Sequence, residues 1–98
     1  MEFEWDEKKN RENLQKHGFD FADARQLFEN PLLVKPDTRK DYGEERWIGI
    51  GRMINGMVTV LVFTKRKKEM IRVISMRRAS KKESNRYEKT IENRLAKN

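Results

Sequence analysis

Asn55-Gly56 is the feature that most constrains the fold, because it separates two apolar segments by a residue pair typical of a tight turn. Both central residues of such a turn take positive φ, which Asn and Gly tolerate. The flanking segments, Arg46–Ile54 and Met57–Thr64, therefore predict two antiparallel strands joined by a two-residue loop. This strand pair is the predicted centre of a sheet.

The loop length also predicts the register of the two strands. With two loop residues, Ile50 lies opposite Leu61 and Ile48 opposite Phe63. Apolar residues occur on both faces of the pair, so we expect the sheet to be covered on both sides.

The next segment predicts a third strand of the same meander. Lys65–Lys68 has the composition of a basic loop, and Glu69–Met76 is rich in the β-branched residues that favour strands. In a regular meander, Arg72 lies beside Leu61. A cation inside an apolar strand needs a partner if it is buried, so Arg72 is expected to be paired or functional.

The chain ends in a predicted helix. Ser80 and Glu83 have the spacing of a capping box, in which each side chain satisfies the other residue's backbone N–H. The helix is expected from Lys81 to about Ala96, with Tyr87, Ile91 and Leu95 as a narrow apolar seam.

Four short elements precede the hairpin. They are a strand at Phe3–Trp5, a helix from Asp6 to about Lys16, a helix from Phe21 to about Glu29 and a strand at Leu32–Lys35. Asp6 and Asp20 are expected N-cap residues, and Gly18 is the expected left-handed stop. On the first helix, Leu14 and His17 share a face with Asn10 and predict a thin buried stripe.

Together these elements predict an α+β fold. A short strand and two helices come first, then an antiparallel β-meander, then a C-terminal helix. At 98 residues, we expect one domain spanning residues 1–98. There is no cysteine and only one histidine, so we expect no disulfide, no metal site and no cofactor. We see no signal peptide and no membrane-spanning run, and we expect a cytoplasmic protein without membrane contact.

Positive charge is concentrated in the second half of the chain. Lys65–Arg94 contains twelve Lys or Arg against four Glu, a net charge of +8, whereas the whole chain carries +7. A continuous basic segment of this kind favours a surface that faces a polyanion. The alternative is a solvated helix face and a charged hairpin.

Several tracts, in order, resemble the BrnT-type toxins of bacterial type II toxin–antitoxin modules. The resembling residues are Trp5-Asp6, Lys9, Asn13, Lys16-His17-Gly18-Phe19, Phe21, Ala24, Asp37-Thr38-Arg39, Tyr42-Gly43-Glu44-Glu45-Arg46, Ile71-Arg72-Val73-Ile74-Ser75-Met76-Arg77-Arg78-Ala79, Glu83 and Tyr87. Met76 departs from the pattern, where alanine is usual, and places a larger side chain next to the expected site.

The resemblance implies a RelE-like fold and a specific function. It implies an endoribonuclease that cleaves mRNA without a metal, inhibits translation and is neutralised by a cognate BrnA-type antitoxin. It also implies a hetero-oligomer with that antitoxin, with 2:2 as one stoichiometry, and contact with operator DNA only through the antitoxin.

Metal-free RNA cleavage needs a base, a proton donor and fixed positive charge. We predict Arg66, Arg72 and Arg77 for the charge, because a guanidinium grips phosphate oxygens bidentately and stays protonated. Glu69 is the predicted base, with a hairpin salt bridge to Lys65 or Arg66 as the alternative.

The other predicted contacts to nucleic acid are basic groups near these residues. They are Lys65, Lys67, Lys68, Arg78, Lys81, Lys82 and His17. His17 could instead cap the end of its helix, and Trp5 could stack on a base or anchor the core.

Two other functions remain open at this point. One is a non-catalytic RNA- or DNA-binding module that uses the same basic surface, with Arg72 as a structural ion-pair partner. The other is a structural subunit whose basic strip docks a partner protein.

Overall fold

The computed structural model describes residues 1–96, which form a mixed sheet with helices on both faces. The elements, in chain order, are β1 (Glu2–Glu4), α1 (Glu7–His17), a 3₁₀ helix (Phe21–Ala24) that runs into α2 (Arg25–Phe28), β2 (Leu33–Pro36), β3 (Trp47–Arg52), β4 (Val58–Arg66), β5 (Met70–Arg78) and α3 (Lys81–Ala96). The predicted α+β order is confirmed. No helix within residues 1–96 has the length and apolar character needed to cross a membrane.

The five strands lie in the order β1-β5-β4-β3-β2. The pairs β2–β3, β3–β4 and β4–β5 are antiparallel, as the predicted meander requires, whereas β1 joins β5 in parallel. β4 is the central strand and is buried from Val58 to Thr64, because helices cover the sheet on both faces.

The predicted register of β3 and β4 is wrong by one residue. Ile50 lies opposite Val60, not Leu61, and Ile48 lies opposite Val62, not Phe63. Asn55-Gly56 belongs to a five-residue connection, which the Met53 N–H closes by donating to the Met57 carbonyl at 2.9 Å. A shift of one residue exchanges the two faces of one strand relative to its partner.

The hairpin between β4 and β5 also differs from the prediction. β4 continues through Arg66, and the turn falls at Lys68 and Glu69, which have positive φ of 60° and 58°. Because this turn begins later than predicted, Arg72 lies opposite Thr64 and not beside Leu61, and a β-bulge between Val62 and Phe63 shifts only the pairs beyond it, by one more residue.

The two faces of the sheet carry separate apolar clusters. The cluster on the α1 and α2 side contains Phe21, Leu27, Leu61 and Phe63 among others. Met76 belongs to it and is fully buried, so it does not border the groove described below.

The opposite cluster lies beneath α3. Tyr87 is buried there with Val58 and Val60, and Ile48 and Ile50 of β3 pack beside them. The Tyr87 hydroxyl donates to the Pro31 carbonyl at 2.8 Å.

The end of α3 differs from the prediction. Tyr87 and Ile91 form the expected seam, but Leu95 is 69% exposed. The seam therefore ends one turn earlier than its spacing suggests.

Helix α1 is attached to the sheet by buried amides. Asn13 is 8% exposed, whereas Leu14 is 46% exposed and His17 is also exposed, so the predicted Leu14/His17 stripe is wrong. The Asn13 side chain donates to the Met76 carbonyl at 3.0 Å and accepts from the Met76 N–H at 3.2 Å. Asn10 accepts from the Phe21 N–H at 2.8 Å. Here α1 satisfies a backbone segment of β5 that lies beyond its pairing with β1.

We predict that Asn13→Ala lowers the free energy of unfolding by about 2 to 4 kcal/mol, because the buried Met76 N–H and C=O lose their partner. Urea denaturation followed by circular dichroism measures this change. Glu12→Ala, on the exposed side of α1, is the matched control and should stay within about 0.5 kcal/mol of the parent. Equal effects of the two substitutions would contradict the proposed role of Asn13.

Candidate functional site

The structure does not bring the four predicted catalytic residues together. Arg66 and Glu69 lie at the turn between β4 and β5, and Arg77 lies near the other end of β5. Met70 and Arg77 are seven residues apart in one strand, which corresponds to roughly 20 Å. These four residues therefore do not surround one phosphodiester group, and their catalytic roles stay a prediction.

Each of the three predicted arginines is paired with a carboxylate. Arg66 donates to Glu44 at 3.4 Å, and Arg72 donates to Glu4 at 2.5 Å. Glu4 is the register partner of Arg72 across β1 and β5, so this pair ties the first strand to the sheet. The alternative reading of Arg72 as a structural ion-pair partner agrees with this contact.

Glu69 occupies an exposed turn position. Glu69 does not form the alternative salt bridge to Arg66, because the Arg66 guanidinium is paired with Glu44. The Glu69 backbone carbonyl accepts from the Glu2 N–H at 3.3 Å, so this residue serves the pairing of the N-terminal strand.

The predicted nucleic-acid contacts fall into two groups. Lys65, Lys67 and Lys68 lie at the β4–β5 turn, where the Lys65 Nζ stacks 4.7 Å from the Trp47 ring centroid. Arg78, Lys81 and Lys82 are exposed at the start of α3.

His17 and Trp5 belong to the N-terminal part of the chain. His17 is exposed at the end of α1 and shares a cavity of about 540 Å³ with Arg78. Trp5 packs against the core, and its Nε1 donates to Glu7 at 2.9 Å, which agrees with its reading as an anchor.

A cationic groove lies on the α3 face of the sheet, between the sheet and the first turns of the helix. Its volume is about 270 Å³. The lining residues are Lys35, Arg39, Ile48, Ile50, Val60, Val62, Ser75, Arg77, Glu83 and Arg86. We call this the arginine groove. Among residues 1–96, four cations and one carboxylate line it, which gives this lining a net positive charge.

Arg39 is fixed in the groove by a buried carboxylate. Its Nε and Nη2 both donate to Asp37 at 2.8 Å. The Asp37 side chain is fully buried, whereas that of Arg39 is 64% exposed. The hydrogen bond from Arg39 holds the pKa of Asp37 far below its usual range, although burial opposes this. A permanently ionised Asp37 therefore presents the guanidinium of Arg39 toward solvent.

Arg77 is fixed in the same way. Its Nη1 and Nη2 donate to the two Glu83 oxygens at 2.8 and 2.9 Å. These hydrogen bonds, with a smaller contribution from Ser80, lower the pKa of Glu83 to about 2. The charge of Arg39 opposes the rise in the pKa of Arg77 that Glu83 causes. Both arginines line the same groove.

Glu83 also completes the predicted capping box, which is confirmed. The Ser80 N–H donates to Glu83 at 2.8 Å, and the Glu83 N–H donates to the Ser80 hydroxyl at 3.1 Å. With both oxygens engaged and its low pKa, Glu83 is a poor proton acceptor at neutral pH. Its role is to orient the Arg77 guanidinium.

The sequence did not identify three cations of the groove as site residues. These are Lys35, Arg39 and Arg86, of which Arg39 appeared only among the residues that carry the family resemblance. The first two lie outside the basic segment, and the pairing of β2 with β3 brings them to Arg77. The signal that could have found Arg39 is its spacing of two residues from Asp37, which permits a local bidentate pair.

Among residues 1–96, no group of three or more His, Cys, Asp or Glu side chains could hold a metal ion.

Both the sequence and the fold are similar to those of known proteins. A family model described as "Ribonuclease toxin, BrnT, of type II toxin-antitoxin system" matches residues 5–83. The crystal structure of the Brucella abortus ribonuclease toxin BrnT is similar, with a TM-score of 0.63 and 32% sequence identity. The alignment covers 83% of this chain and 99% of that chain. No curated protein sequence matches. The resemblance that the sequence motifs predicted is confirmed.

We predict that Glu83→Gln removes part of the loss of stability in acid. The folded pKa of Glu83 lies near 2, below its ordinary value of 4.5, so its contribution is complete above pH 4.5 and is lost as the pH falls toward 2. Gln retains the capping box but not the charge pair. Urea denaturation at several pH values should show a shallower decline for the variant between pH 4.5 and 2. Parallel curves would contradict the ion pair.

Proposed function

Since the chain belongs to the BrnT family of ribonuclease toxins of type II toxin–antitoxin systems, we propose that it is an endoribonuclease that cleaves mRNA without a metal cofactor. Cleavage of mRNA would inhibit translation in the cytoplasm. The observation that carries this proposal is the pair of guanidiniums in the arginine groove, each held by its own carboxylate.

The reaction at this site is governed by charge. The 2′-hydroxyl gives its proton to solvent water and attacks the adjacent phosphorus, so the 2′-O–P bond forms as the P–O5′ bond breaks, and negative charge builds on the phosphoryl oxygens. Arg39 and Arg77 are positioned to meet that charge, and their carboxylate partners limit the reorganisation that the transition state demands. An arginine remains protonated throughout.

Lys35 and Arg86 supply the remaining cations of the groove. The Lys35 ammonium can donate a proton to the leaving 5′-oxygen, and Arg86 can contact a neighbouring phosphate. The hypothesis that Glu69 is the base and that Arg66 and Arg72 bind the phosphate stays a prediction. It places the site near the β4–β5 turn.

We predict that Arg77→Ala and Arg39→Ala each lower the cleavage rate of a single-stranded transcript about 100-fold or more. The purified chain is assayed with EDTA present, and circular dichroism checks that each variant is folded. Arg66→Ala is the matched control, because Arg66 is also paired with a glutamate but lies outside the groove; it should cleave at nearly the parent rate.

Three results would overturn parts of this proposal. Loss of cleavage in Arg66→Ala or Glu69→Gln, with retention in Arg39→Ala, would move the site to the β4–β5 turn. Cleavage only in the presence of an added divalent ion would show that the reaction needs a metal. RNA binding without cleavage would favour the non-catalytic binding module.

The partner is proposed to be a cognate BrnA-type antitoxin that covers part of the Lys65–Arg94 surface. That segment carries a net charge of +8, which attracts an acidic segment and steers its approach. A hetero-oligomer, with 2:2 as one stoichiometry, and operator DNA bound only through the antitoxin complete the proposal.

We predict that the double substitution Lys81→Glu and Lys82→Glu slows association with the antitoxin at least tenfold at low salt, because both cations are exposed at the start of α3. Stopped-flow fluorescence measures the association rate. The control is the double substitution Lys8→Glu and Arg11→Glu on the exposed side of α1. Equal slowing in both proteins would mean that net charge, and not this surface, guides the partner.

A further inference from the structure

The arginine groove has an apolar floor as well as a cationic rim. Ile48 and Ile50 of β3 and Val60 and Val62 of β4 line its base. Tyr87 and Ile91 of α3 pack in the same cluster as Val60, Ile48 and Ile50. Val60 and Val62 are buried, whereas Ile48 and Ile50 remain half-buried and border the open groove.

The rim of the groove is charged, in contrast to its apolar floor. Lys35 and Arg86 are exposed, and Arg39 and Arg77 are fixed by carboxylates. Glu83 is the single acidic residue of the lining, and Arg77 engages both of its oxygens. An occupant that matches this slot has one flat or apolar part and one anionic part in close proximity.

A nucleotide has these two parts, and we propose that the floor of the arginine groove seats one unstacked base of a single-stranded RNA beside the phosphate held by Arg39 and Arg77. This inference rests on the proposed function and deepens it by naming the form of the substrate. A volume of about 270 Å³ is small, as a site for a single nucleotide requires.

Duplex RNA does not fit this description. Its bases are paired and stacked inside the helix, and its backbone offers phosphates without an accessible base face. A single strand can splay one base onto an apolar surface, where the contact adds to the charge contacts of the backbone. The groove therefore discriminates by strandedness as well as by charge.

Ser75 lies beside the floor residues, so a larger side chain at this position would fill the arginine groove. It belongs to β5, lines the groove and is half-buried. A phenylalanine there would occupy the space of the base while leaving all four cations in place. Asn85→Phe is the matched control, because Asn85 is exposed and lines a cavity on the other side of α3.

The test uses the full chain and short RNA probes that carry 2′-O-methyl groups, so that no 2′-hydroxyl is available for cleavage. Fluorescence anisotropy compares three probes with equal numbers of phosphates: a single strand, an oligomer abasic at every position and a hairpin duplex. We expect the single strand to bind about tenfold or more tightly than the other two. Equal affinity for the single strand and the abasic oligomer would overturn the proposal.

The variants give the second measurement. Ser75→Phe should bind the single strand no better than the abasic oligomer, with unchanged affinity for the duplex, and Asn85→Phe should behave as the parent does. A folded Ser75→Phe protein that retains the parent's preference for bases would overturn the proposal, and the floor would then be free to take an apolar side chain of a protein partner.

Failure of this inference is distinct from failure of the proposed function. If the parent cleaves RNA and Arg77→Ala does not, but bases add nothing to affinity, the groove binds phosphate alone and only the base seat is wrong. If the parent discriminates between the probes but never cleaves RNA, the base seat stands and the catalytic proposal is wrong.

Discussion

The contact between Arg77 and Glu83 joins the fold to the candidate site. One carboxylate closes the N-terminus of α3 through the Ser80 N–H and binds both terminal nitrogens of Arg77 on β5. Because α3 follows β5 after a short connection, this contact fixes the direction in which the helix crosses the sheet. The position of the helix in turn decides how much of the apolar face is covered and how much remains open as the arginine groove.

Arg39, Arg66, Arg72 and Arg77 are each paired with a carboxylate, but the consequences of the pairing differ between positions. Glu4 holds Arg72 between two strands, where the pair stabilises the sheet. Asp37 holds Arg39 from a buried position, so the charge of the pair is compensated on the inner side and the guanidinium is presented outward. Such preorganisation is useful in catalysis because the donors need not move when charge develops.

Local signals in the sequence predicted much of the fold. The capping box at Ser80 and Glu83, the N-cap at Asp6 and the stop at Gly18 all depend on neighbours within a few residues, and the structure contains each of them. Register failed, because an Asn-Gly pair fits inside a five-residue connection as well as a two-residue one. The turn between β4 and β5 falls at Lys68 and Glu69, which carry no Gly or Asn signal for positive φ, so the position of Arg72 could not be derived.

The site was less accessible to sequence reasoning, for a physical reason. Counting charge along the chain found Arg77 but grouped it with Arg66 and Glu69, which an extended strand carries away from it. Lys35 and Arg39 come from a distant part of the chain and reach the groove only because β2 pairs with β3. Recognising them requires knowledge of long-range strand pairing, which composition and spacing do not contain.

The central claim is that Arg39 and Arg77 together hold a phosphodiester. The most direct measurement is an NMR titration that follows the arginine side-chain Nε signals as a non-cleavable single-stranded oligonucleotide is added. The signals of Arg39 and Arg77 should shift together and saturate at one ligand concentration, while those of Arg66 and Arg72 stay nearly constant. Saturating shifts at Arg66 or Arg72, with none at Arg39 and Arg77, would contradict the claim.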